Sequence, residues 1–346
     1  MKHQTTRYGE IPFYKIGTFG NTADAFISKK LFLEYKTKYS FPKKGDILIS
    51  ASGTIGRAVI YDGKPAYFQD SNIVWIDNDE TLVKNDFLFY AYSNVKWNTE
   101  HTTILRLYND NFRNTLIPLP PLNEQIAIAN ILSGLDRYLC ALDALILKKE
   151  GVKKALSFEL LSQRKRLKGF NQAWQRVRLG DIANYLTSNL SAEQITQQGK
   201  IKVYDVNNFI GYTDTTFISD KPYISIVKDG SVGRVRILPP KTNILSTMGA
   251  LIANHRTTTE FLFYLLSNFD FKNFISGSII PHIYFKDYKE KTIFLPPLNE
   301  QIAIANILSG LDNEIASLKN KKRQFDNIKK ALNHDLMSAK IRVLKK

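Results

Sequence analysis

Residues Leu119–Asp136 read LPPLNEQIAIANILSGLD, and Leu295–Asp312 read the same eighteen residues without a change. Identity over such a length does not arise by chance, so the chain of 346 residues contains a duplication with an offset of 176. The same offset aligns Lys153–Leu156 with Lys329–Leu332. Because sequence repeats of solenoids and propellers recur every 20–50 residues, this longer period indicates a duplication of whole domains.

Upstream of each copy the similarity is weaker but keeps its order. Gly53–Arg57 (GTIGR) matches Gly230–Arg234 (GSVGR), and Phe87–Tyr90 matches Phe261–Tyr264. The offset drifts in these regions, as insertions in loops would make it do. Four segments are predicted: a first domain at 1–118, a long helix at 119–170, a second domain at 171–294 and a second long helix at 295–346.

The repeated segments carry the signals of a helix start. Pro120 and Pro121 are compatible with the entry to a helix but not with its interior, and Asn123 is the expected N-cap. Glu124 then falls in the first turn, where a negative charge suits the helix dipole. Apolar residues follow at steps of three and four: Leu135, Leu139, Leu142, Ile146, Val152, Leu156 and Leu160, and in the second copy Leu311, Ile315, Leu318, Phe325, Ile328, Leu332 and Leu336.

This pattern predicts two helices of about 45 residues that pack on each other as a coiled coil. Two unrelated surface helices are the alternative, but such a length is unusual for a globular helix. We expect an antiparallel pair that holds the two domains at a fixed distance. The expected packing residues are Leu135, Leu139, Leu142, Leu156, Leu311, Ile315, Leu318, Phe325 and Leu332.

The variable segments are predicted to be mixed α/β, in an α+β arrangement, with short strands between glycines and prolines. Short buried helices are expected at 87–92 and 261–266. Predicted strands are Asp46–Ser50, Ala58–Tyr61, Asn72–Ile76, Ile224–Val227, Val235–Leu238 and Thr242–Leu245.

Composition limits the class of protein. The chain has 44% hydrophobic residues, enough for sizeable cores, and 48 Lys and Arg against 32 Asp and Glu, a net charge of +16. Such an excess favours an acidic partner, with nucleic acid first and an anionic membrane surface second. One cysteine, Cys140, is compatible with a reducing cytoplasm, and no apolar run predicts a signal peptide or membrane span.

The two G-x-x-G-Arg loops are the sharpest local motifs. Glycines allow a ligand to approach the backbone closely, and the arginine suits a phosphate or a guanine. A purely structural turn between strands explains the glycines equally well. Tyr108 and Tyr284 occupy equivalent positions and are open to two interpretations, contact with a groove or a place in the core.

The sequence lacks the common motifs of catalysis. Neither glycine loop continues into a Walker A sequence, no methyltransferase tetrapeptide is present, and the histidines at 3, 101, 255, 282 and 334 lack metal-binding spacing. The chain is therefore expected to be non-catalytic and to bind no cofactor of its own.

The doubled Leu-Pro-Pro-Leu-Asn-Glu-Gln helix start resembles the specificity subunit of type I restriction-modification systems. Gly45–Leu48 ahead of the first glycine loop, and Trp174–Ile182 (WQRVRLGDI), add to this resemblance, which covers essentially the whole chain. Aligned as a cycle, Lys346 corresponds to Phe170 and Met1 to Ser191. The first domain is thus expected to lack a counterpart of Asn171–Leu190.

The resemblance implies a DNA-binding protein in which each variable domain reads one half of a split site and the helices set the spacer. It implies two modification subunits that methylate adenine at N6 with S-adenosylmethionine, and restriction subunits that use ATP and Mg²⁺. The alternative function is a coiled-coil scaffold that binds proteins and does not read DNA. The expected DNA-binding residues are Lys43, Lys44, Ser52, Thr54, Arg57 and Arg106 in the first domain, and Lys228, Ser231, Arg234, Arg236, Lys241 and His282 in the second.

Overall fold

In the computed structural model, which describes residues 4–68, 72–97 and 106–344, the chain divides into two units. The first unit combines residues 1–143 with 320–346, and the second is the continuous stretch 144–319. Each long helix therefore contributes one part to each unit.

The first unit begins with two small antiparallel sheets and three helices. Its elements are β1 (Ile11–Phe13), β2 (Ala25–Ile27), α1 (Lys29–Lys38), β3 (Ile47–Ser50), β4 (Ala58–Ile60), β5 (Ile73–Trp75), α2 (Asn85–Tyr92) and α3 (Asn109–Arg113). Strands β1 and β2 pair with each other, and β3 lies between β4 and β5. The long helix α4 (Leu122–Leu161) follows.

The second unit has the same order with more strands. Its elements are β6 (Gln175–Arg178), β7 (Ala183–Thr187), β8 (Ile201–Tyr204), β9 (Phe209–Thr213), β10 (Tyr223–Val227), β11 (Val235–Leu238), β12 (Thr242–Ile244), β13 (Met248–Ala253), α5 (Thr259–Ser267), α6 (Phe285–Tyr288) and β14 (Thr292–Leu295), followed by α7 (Leu298–Met337). One sheet has the order β11-β10-β13-β7, a second has β12-β8-β9, and β14 pairs with β6.

These elements confirm the predicted fold class, a duplicated mixed α/β arrangement with long helices. Each predicted strand is present within one or two residues of its expected bounds, and both short helices start two residues earlier than expected. Each short helix places its apolar side chains in a core. Phe87 of α2 lies in the core cluster that holds Ile128 and Leu132 of α4, and Phe261 of α5 lies in the cluster that holds Ile304 and Leu308 of α7.

The long helices differ from expectation in their length and in their N-cap. Each has 40 residues, about 60 Å at 1.5 Å per residue, rather than 45. Asn123 is not the N-cap, because the helix begins at Leu122, and its side chain instead accepts a hydrogen bond from the amide of Glu124 at 3.0 Å. Each helix is followed by a residue with positive φ at equivalent positions, Gln163 and Ala339, a common way to end a helix.

Val152 and Ile328 do not belong to the apolar seam, since both are about half exposed. Steps of three and four from Ile146 pass through Lys149 and Lys153 instead. These lysines pair with residues of α7 in the second unit, Lys149 with Glu314 at 2.8 Å and Lys153 with Asp312.

In the first unit Lys329 pairs with Asp136, the equivalent of Lys153 with Asp312, and Lys322 pairs with Asp143 at 2.8 Å, a pair without a counterpart at the offset of 176. In both units the higher numbers of one helix pair with the lower numbers of the other, so the pairing is antiparallel. Of the expected packing residues, Leu139, Leu142 and Ile315 are buried. The others are partly buried, namely Leu135, Leu156, Leu311, Leu318, Phe325 and Leu332.

The glutamine of the repeated Glu-Gln pair joins the domain of each unit to the start of a long helix by hydrogen bonds. In the first unit, Gln125 accepts from the amide of Lys84 at 2.8 Å and donates to the carbonyls of Leu82 and Pro120. In the second unit, Gln301 accepts from Thr257 and Thr258 and donates to Arg256 and Pro296. One buried side-chain amide thus forms hydrogen bonds both to the loop before the short helix and to a proline carbonyl before the long helix.

A second repeated contact fixes the short helices. Tyr90 donates to Asp136 at 2.7 Å in the first unit, and Tyr264 donates to Asp312 at 2.9 Å in the second. The paired lysine lies over each tyrosine ring, Lys329 over Tyr90 and Lys153 over Tyr264. Burial is the main reason that the pKa of both hydroxyls is raised, and the hydrogen-bonded carboxylate adds to it.

Candidate nucleic-acid interface

The two G-x-x-G-Arg motifs form the tips of equivalent hairpins. Residues 51–57 connect β3 to β4 in the first unit, and residues 228–234 connect β10 to β11 in the second. Both tips close with the same hydrogen bond, from Gly56 to the carbonyl of Ser50 and from Gly233 to that of Val227, each 2.9 Å. The sequence repeat therefore reproduces one local structure twice.

The glycines divide into two roles. Gly53 and Gly230 have positive φ, at 66° and 85°, and no side chain or backbone lies closer than 3.8 Å to a Cβ built on either. Gly56 and Gly233 also have positive φ, but a Cβ there would lie 2.3 Å from Trp97 Nε1 and 2.7 Å from the ring of Phe271. The second glycine is thus required by an aromatic ring packed beneath the tip, which favours the structural interpretation for this position.

The arginine that follows each tip is held by a neighbouring loop. Arg57 donates through Nη1 to the carbonyl of Phe19 at 2.9 Å, and Arg234 donates through Nη2 to Asn207 Oδ1 at 2.9 Å. Arg236, on β11, donates to the carbonyl of Asn207 and lies over the ring of Tyr204. A guanidinium has five N–H donors, so each of these groups keeps donors for a ligand while its position is fixed.

In each unit, a segment from later in the sequence pairs with the tip and places a predicted DNA-binding residue beside it. Arg106 forms an isolated antiparallel bridge with Ser52, and His282 forms the equivalent bridge with Asp229. His282 Nδ1 lies 2.6 Å from Asp229 Oδ1, and Lys228 lies 3.8 Å from the other oxygen of that carboxylate. The first tip therefore gathers Ser52, Thr54, Arg57 and Arg106, and the second gathers Lys228, Ser231, Arg234, Arg236 and His282.

Three predicted residues lie away from the tips. Lys43 and Lys44 precede β3, and Lys241 follows β11, so each is at the far end of its hairpin, about 13 Å away for a strand of four residues. Lys43 also pairs with Asp77 at 3.0 Å, and that hydrogen bond raises the pKa of its ammonium group. Ser52 is at a tip, but its side chain is largely buried.

Neither Tyr108 nor Tyr284 belongs to the core. Tyr108 and Tyr284 are exposed at the residue preceding α3 and α6, each two residues after the bridge at Arg106 or His282. Ile279 was not predicted, yet it is almost fully exposed on the loop beside His282. Asn207 and Asp229 were also missed, because their roles depend on contacts that no local spacing reveals.

The residues that the structure describes hold neither a metal-binding cluster nor a helix able to span a membrane. Within 4–68, 72–97 and 106–344, no three His, Cys, Asp or Glu side chains lie together as metal ligands would. His3 and His101 fall outside these ranges. Across the helices that the structure describes, none combines the length and apolar character needed to span a membrane.

Comparison with known proteins identifies the family. The model of the type I restriction modification DNA specificity domain matches residues 1–149 and again 171–325. The chain therefore belongs to this family, as its sequence motifs indicated. The family consists of DNA specificity domains, and its relatives are described as specificity subunits rather than as catalytic subunits, which supports the expectation that this chain is not an enzyme.

Individual relatives agree with this assignment. The chain is 65% identical, over 39% of its own length and 36% of the relative's, to a Haemophilus influenzae protein described as type I restriction enzyme specificity subunit S.HindORF215P. It is 28% identical, over 86% of its length and 79% of the relative's, to one from Methanocaldococcus jannaschii described as the MjaX specificity subunit. The fold is similar to the type I S subunit of M. genitalium, with a TM-score of 0.64, 21% identity, and coverage of 97% of this chain and 91% of that one.

Proposed function

We propose that this chain is the DNA-recognition subunit of a type I restriction-modification complex and reads duplex DNA with its two hairpin tips. The observation that carries the proposal is the duplicated tip itself. Two units of one chain present the same closed turn, the same anchored arginine and the same crossing segment. A duplicated reader suits a bipartite site, with one half read by each unit.

The chemistry of the tips suits base edges and phosphates. Arg57 and Arg234 are exposed, and each guanidinium uses one nitrogen in a hydrogen bond to the protein. Its remaining N–H donors suit the O6 and N7 acceptors of guanine. Thr54 and Ser231 add exposed hydroxyls. The net charge of +16 supplies an electrostatic attraction to phosphates that does not depend on sequence and weakens with salt.

The paired helices have two tasks in this proposal. They set the spacer between the half-sites, and they dock two modification subunits, which bind S-adenosylmethionine and methylate adenine at N6. Restriction subunits, with ATP and Mg²⁺, join the same complex and cleave DNA. Support for these partners comes from membership of the specificity family, and the cofactors belong to the partners rather than to this chain.

Co-expression with its modification subunit in a host without other adenine methylation tests the function. Long-read sequencing is expected to detect methylated adenines in a single bipartite motif with an invariant gap, and none when either gene is omitted. Methylation of a continuous site, or of a motif with a variable gap, would contradict the proposal. A chain that binds partner proteins but shows no salt-dependent affinity for duplex DNA would support the alternative, a protein-binding scaffold.

A further inference from the structure

The loop beside the second tip is itself a small closed hairpin. Ser276 and His282 exchange two backbone hydrogen bonds, with N–O distances of 2.9 and 2.7 Å, around the loop 277–281. Gly277 has a positive φ of 88°, and a Cβ there would lie 2.3 Å from the carbonyl oxygen of Ile280. Only glycine fits this position without a shift of the backbone, which fixes the shape of the loop.

Two main-chain hydrogen bonds hold this loop against the tip. The amide of Gly230, in the turn, donates to the carbonyl of Pro281 at 2.9 Å. The amide of Ile283 donates to the carbonyl of Lys228, also at 2.9 Å. The tip and the loop therefore form one continuous surface of the second unit. A ligand as large as a DNA duplex that binds the tip also reaches the loop.

Two consecutive isoleucines form the apex of the loop. Ile279 is 92% exposed and Ile280 is 54% exposed. Single exposed apolar residues are common on protein surfaces and need no explanation. These two differ, because they lie at the apex of a constrained loop and share its surface with the cationic groups of Lys228 and Arg234. The surface thus suits a partner that is anionic and carries an apolar group where the loop touches it.

Duplex DNA has this combination. The C5 methyl group of thymine lies in the major groove, between the anionic phosphate backbones, and apolar side chains recognise it there. The O6 and N7 atoms of guanine, which suit Arg234, face the same groove. The major groove is also wide enough for a two-stranded β-ribbon, the form that the hairpin of β10 and β11 has.

The two units differ at the apex of this loop. Ile279 corresponds to Thr103 at the offset of 176, whereas the glycines and the arginine of the tips are the same in both copies. Thr103 lies outside the described residues, and its difference from Ile279 is a difference of sequence. A residue that gives the second unit a base preference of its own must differ from its counterpart, and Ile279 does.

We infer that Ile279 is a specificity-determining residue, and that its side chain packs on the C5 methyl group of a thymine in the half-site that the second unit reads. This role rests on the proposed function, because the tip must face the major groove. Arg234 then supplies hydrogen bonds, and Ile279 buries its exposed side chain against the methyl group. Cytosine lacks this methyl group, so the apolar contact favours thymine over cytosine.

The experiment replaces thymine by uracil, which lacks only the methyl group. The full chain is assembled with its modification subunits and titrated with labelled duplexes that carry the motif defined by methylation sequencing. In each duplex one thymine of one half-site is replaced. At a single thymine, the replacement is expected to weaken binding about three- to tenfold, as the loss of one buried methyl group does. Fluorescence anisotropy measures the affinity.

Two chain variants provide a matched comparison. Ile279→Ala is expected to weaken binding to the thymine duplex about three- to tenfold and to make binding indifferent to uracil. Phe217→Ala removes another exposed apolar side chain, near the far end of the hairpin, where the amide of Lys241 donates to the carbonyl of Ser219 at 2.8 Å. It is expected to leave the affinity within twofold and the response to uracil unchanged. Ile279→Ala should unfold at the same denaturant concentration as the unmodified chain, because this side chain is not buried.

Several results would overturn the inference while the proposed function stands. They are salt-dependent binding of the motif with no effect of any uracil, an Ile279→Ala complex that stays sensitive to uracil, and an equal loss of affinity for the motif and for an unrelated duplex. Brighter 2-aminopurine fluorescence beside the contacted base pair that depends on Ile279 but not on the methyl group would identify a side chain inserted between bases, and would also refute it. Failure of the unmodified complex to bind the motif would refute the proposed function and the inference with it.

Discussion

Glu124 and Arg342 stand 218 residues apart in the sequence, yet they form a two-point ion pair in the first unit, with Nη2 and Oε2 at 2.6 Å. The hydrogen bonds from Arg342 lower the pKa of the Glu124 carboxyl below its ordinary value. A carboxyl with a lowered pKa in the folded state stabilises the protein above its unfolded-state pKa, and the contribution is lost as the pH falls through the folded pKa.

This relationship predicts a pH-dependent effect of Glu124→Gln. At pH 7 the variant is expected to be less stable than the unmodified chain, and the difference is expected to shrink as the pH falls below about 4.5. Denaturant unfolding between pH 7 and pH 3 measures it. Glu193→Gln, at an exposed position of the second unit, is the control and should show no such convergence. A difference that stays constant with pH would show that charge plays no part.

The buried glutamine of the repeated motif gives a second prediction. Gln301→Ala leaves the acceptors at Arg256 and Pro296 and the donors at Thr257 and Thr258 without their partner. We expect a loss of roughly 2–3 kcal/mol in the free energy of unfolding. Gln197→Ala, at an exposed position, is expected to change it by less than about 0.5 kcal/mol. Equal effects of the two substitutions in chemical denaturation would contradict the assigned role.

The two glycines of one tip should respond differently to alanine. Both lie at positive φ, which costs a residue with a side chain about 1–2 kcal/mol. Gly230→Ala is expected to lower the free energy of unfolding by this amount alone. Gly233→Ala must also displace the ring of Phe271, so its loss of unfolding free energy should exceed about 2 kcal/mol. A Gly233→Ala chain no less stable than Gly230→Ala would show that the aromatic ring does not dictate the glycine.

Placement of charge relative to the tip predicts the effect on DNA binding. Arg234→Gln and Lys241→Gln remove the same charge, but only Arg234 lies at the tip. Arg234→Gln is expected to weaken binding to the specific duplex about 5- to 150-fold and to relax base preference in one half-site. Lys241→Gln is expected to act less than threefold. Titrations at several salt concentrations measure both, and an equal loss for the two variants would remove the tip from the interface.

The proposed role of the helices predicts a change of spacer. Removal of seven residues from each long helix, chosen to keep the antiparallel pairs in register, shortens each by about 10 Å at 1.5 Å per residue. The methylated motif is expected to lose about three base pairs from its gap at 3.4 Å per base pair, with both half-sites unchanged. Sequencing of methylated DNA reads this directly. An altered half-site would argue against the helices as a spacer.

Much of this molecule could be predicted from its repeat. Eighteen identical residues located both long helices, and the weaker matches located both hairpin tips. The lysines inside the helix seam were not predicted, because an apolar pattern favoured Val152 and Ile328 until the pairing of Lys153 and Lys329 with aspartates could be seen.

Contacts between residues that are far apart in the sequence could not be predicted from it. The aromatic rings under Gly56 and Gly233 lie about 40 residues further along the chain, and no local spacing connects them. Arg57 and Arg234 were predicted as ligand contacts, but their anchoring to Phe19 and Asn207 depends on how separate loops meet. Lys43, Lys44 and Lys241 were predicted together with these arginines because they are close in sequence. In the hairpins, the length of a strand separates them from the tips.

The division of the long helices between the units has a consequence for biosynthesis. The second unit is a continuous stretch, 144–319, so all of its parts have been synthesised before the chain is complete. The first unit needs residues 320–346, including the arginine that binds Glu124, and these are synthesised only after the whole second unit. Residues 1–143 are synthesised before the second unit and cannot complete their fold until it has been translated. The domain that is translated first is therefore the one that finishes folding last.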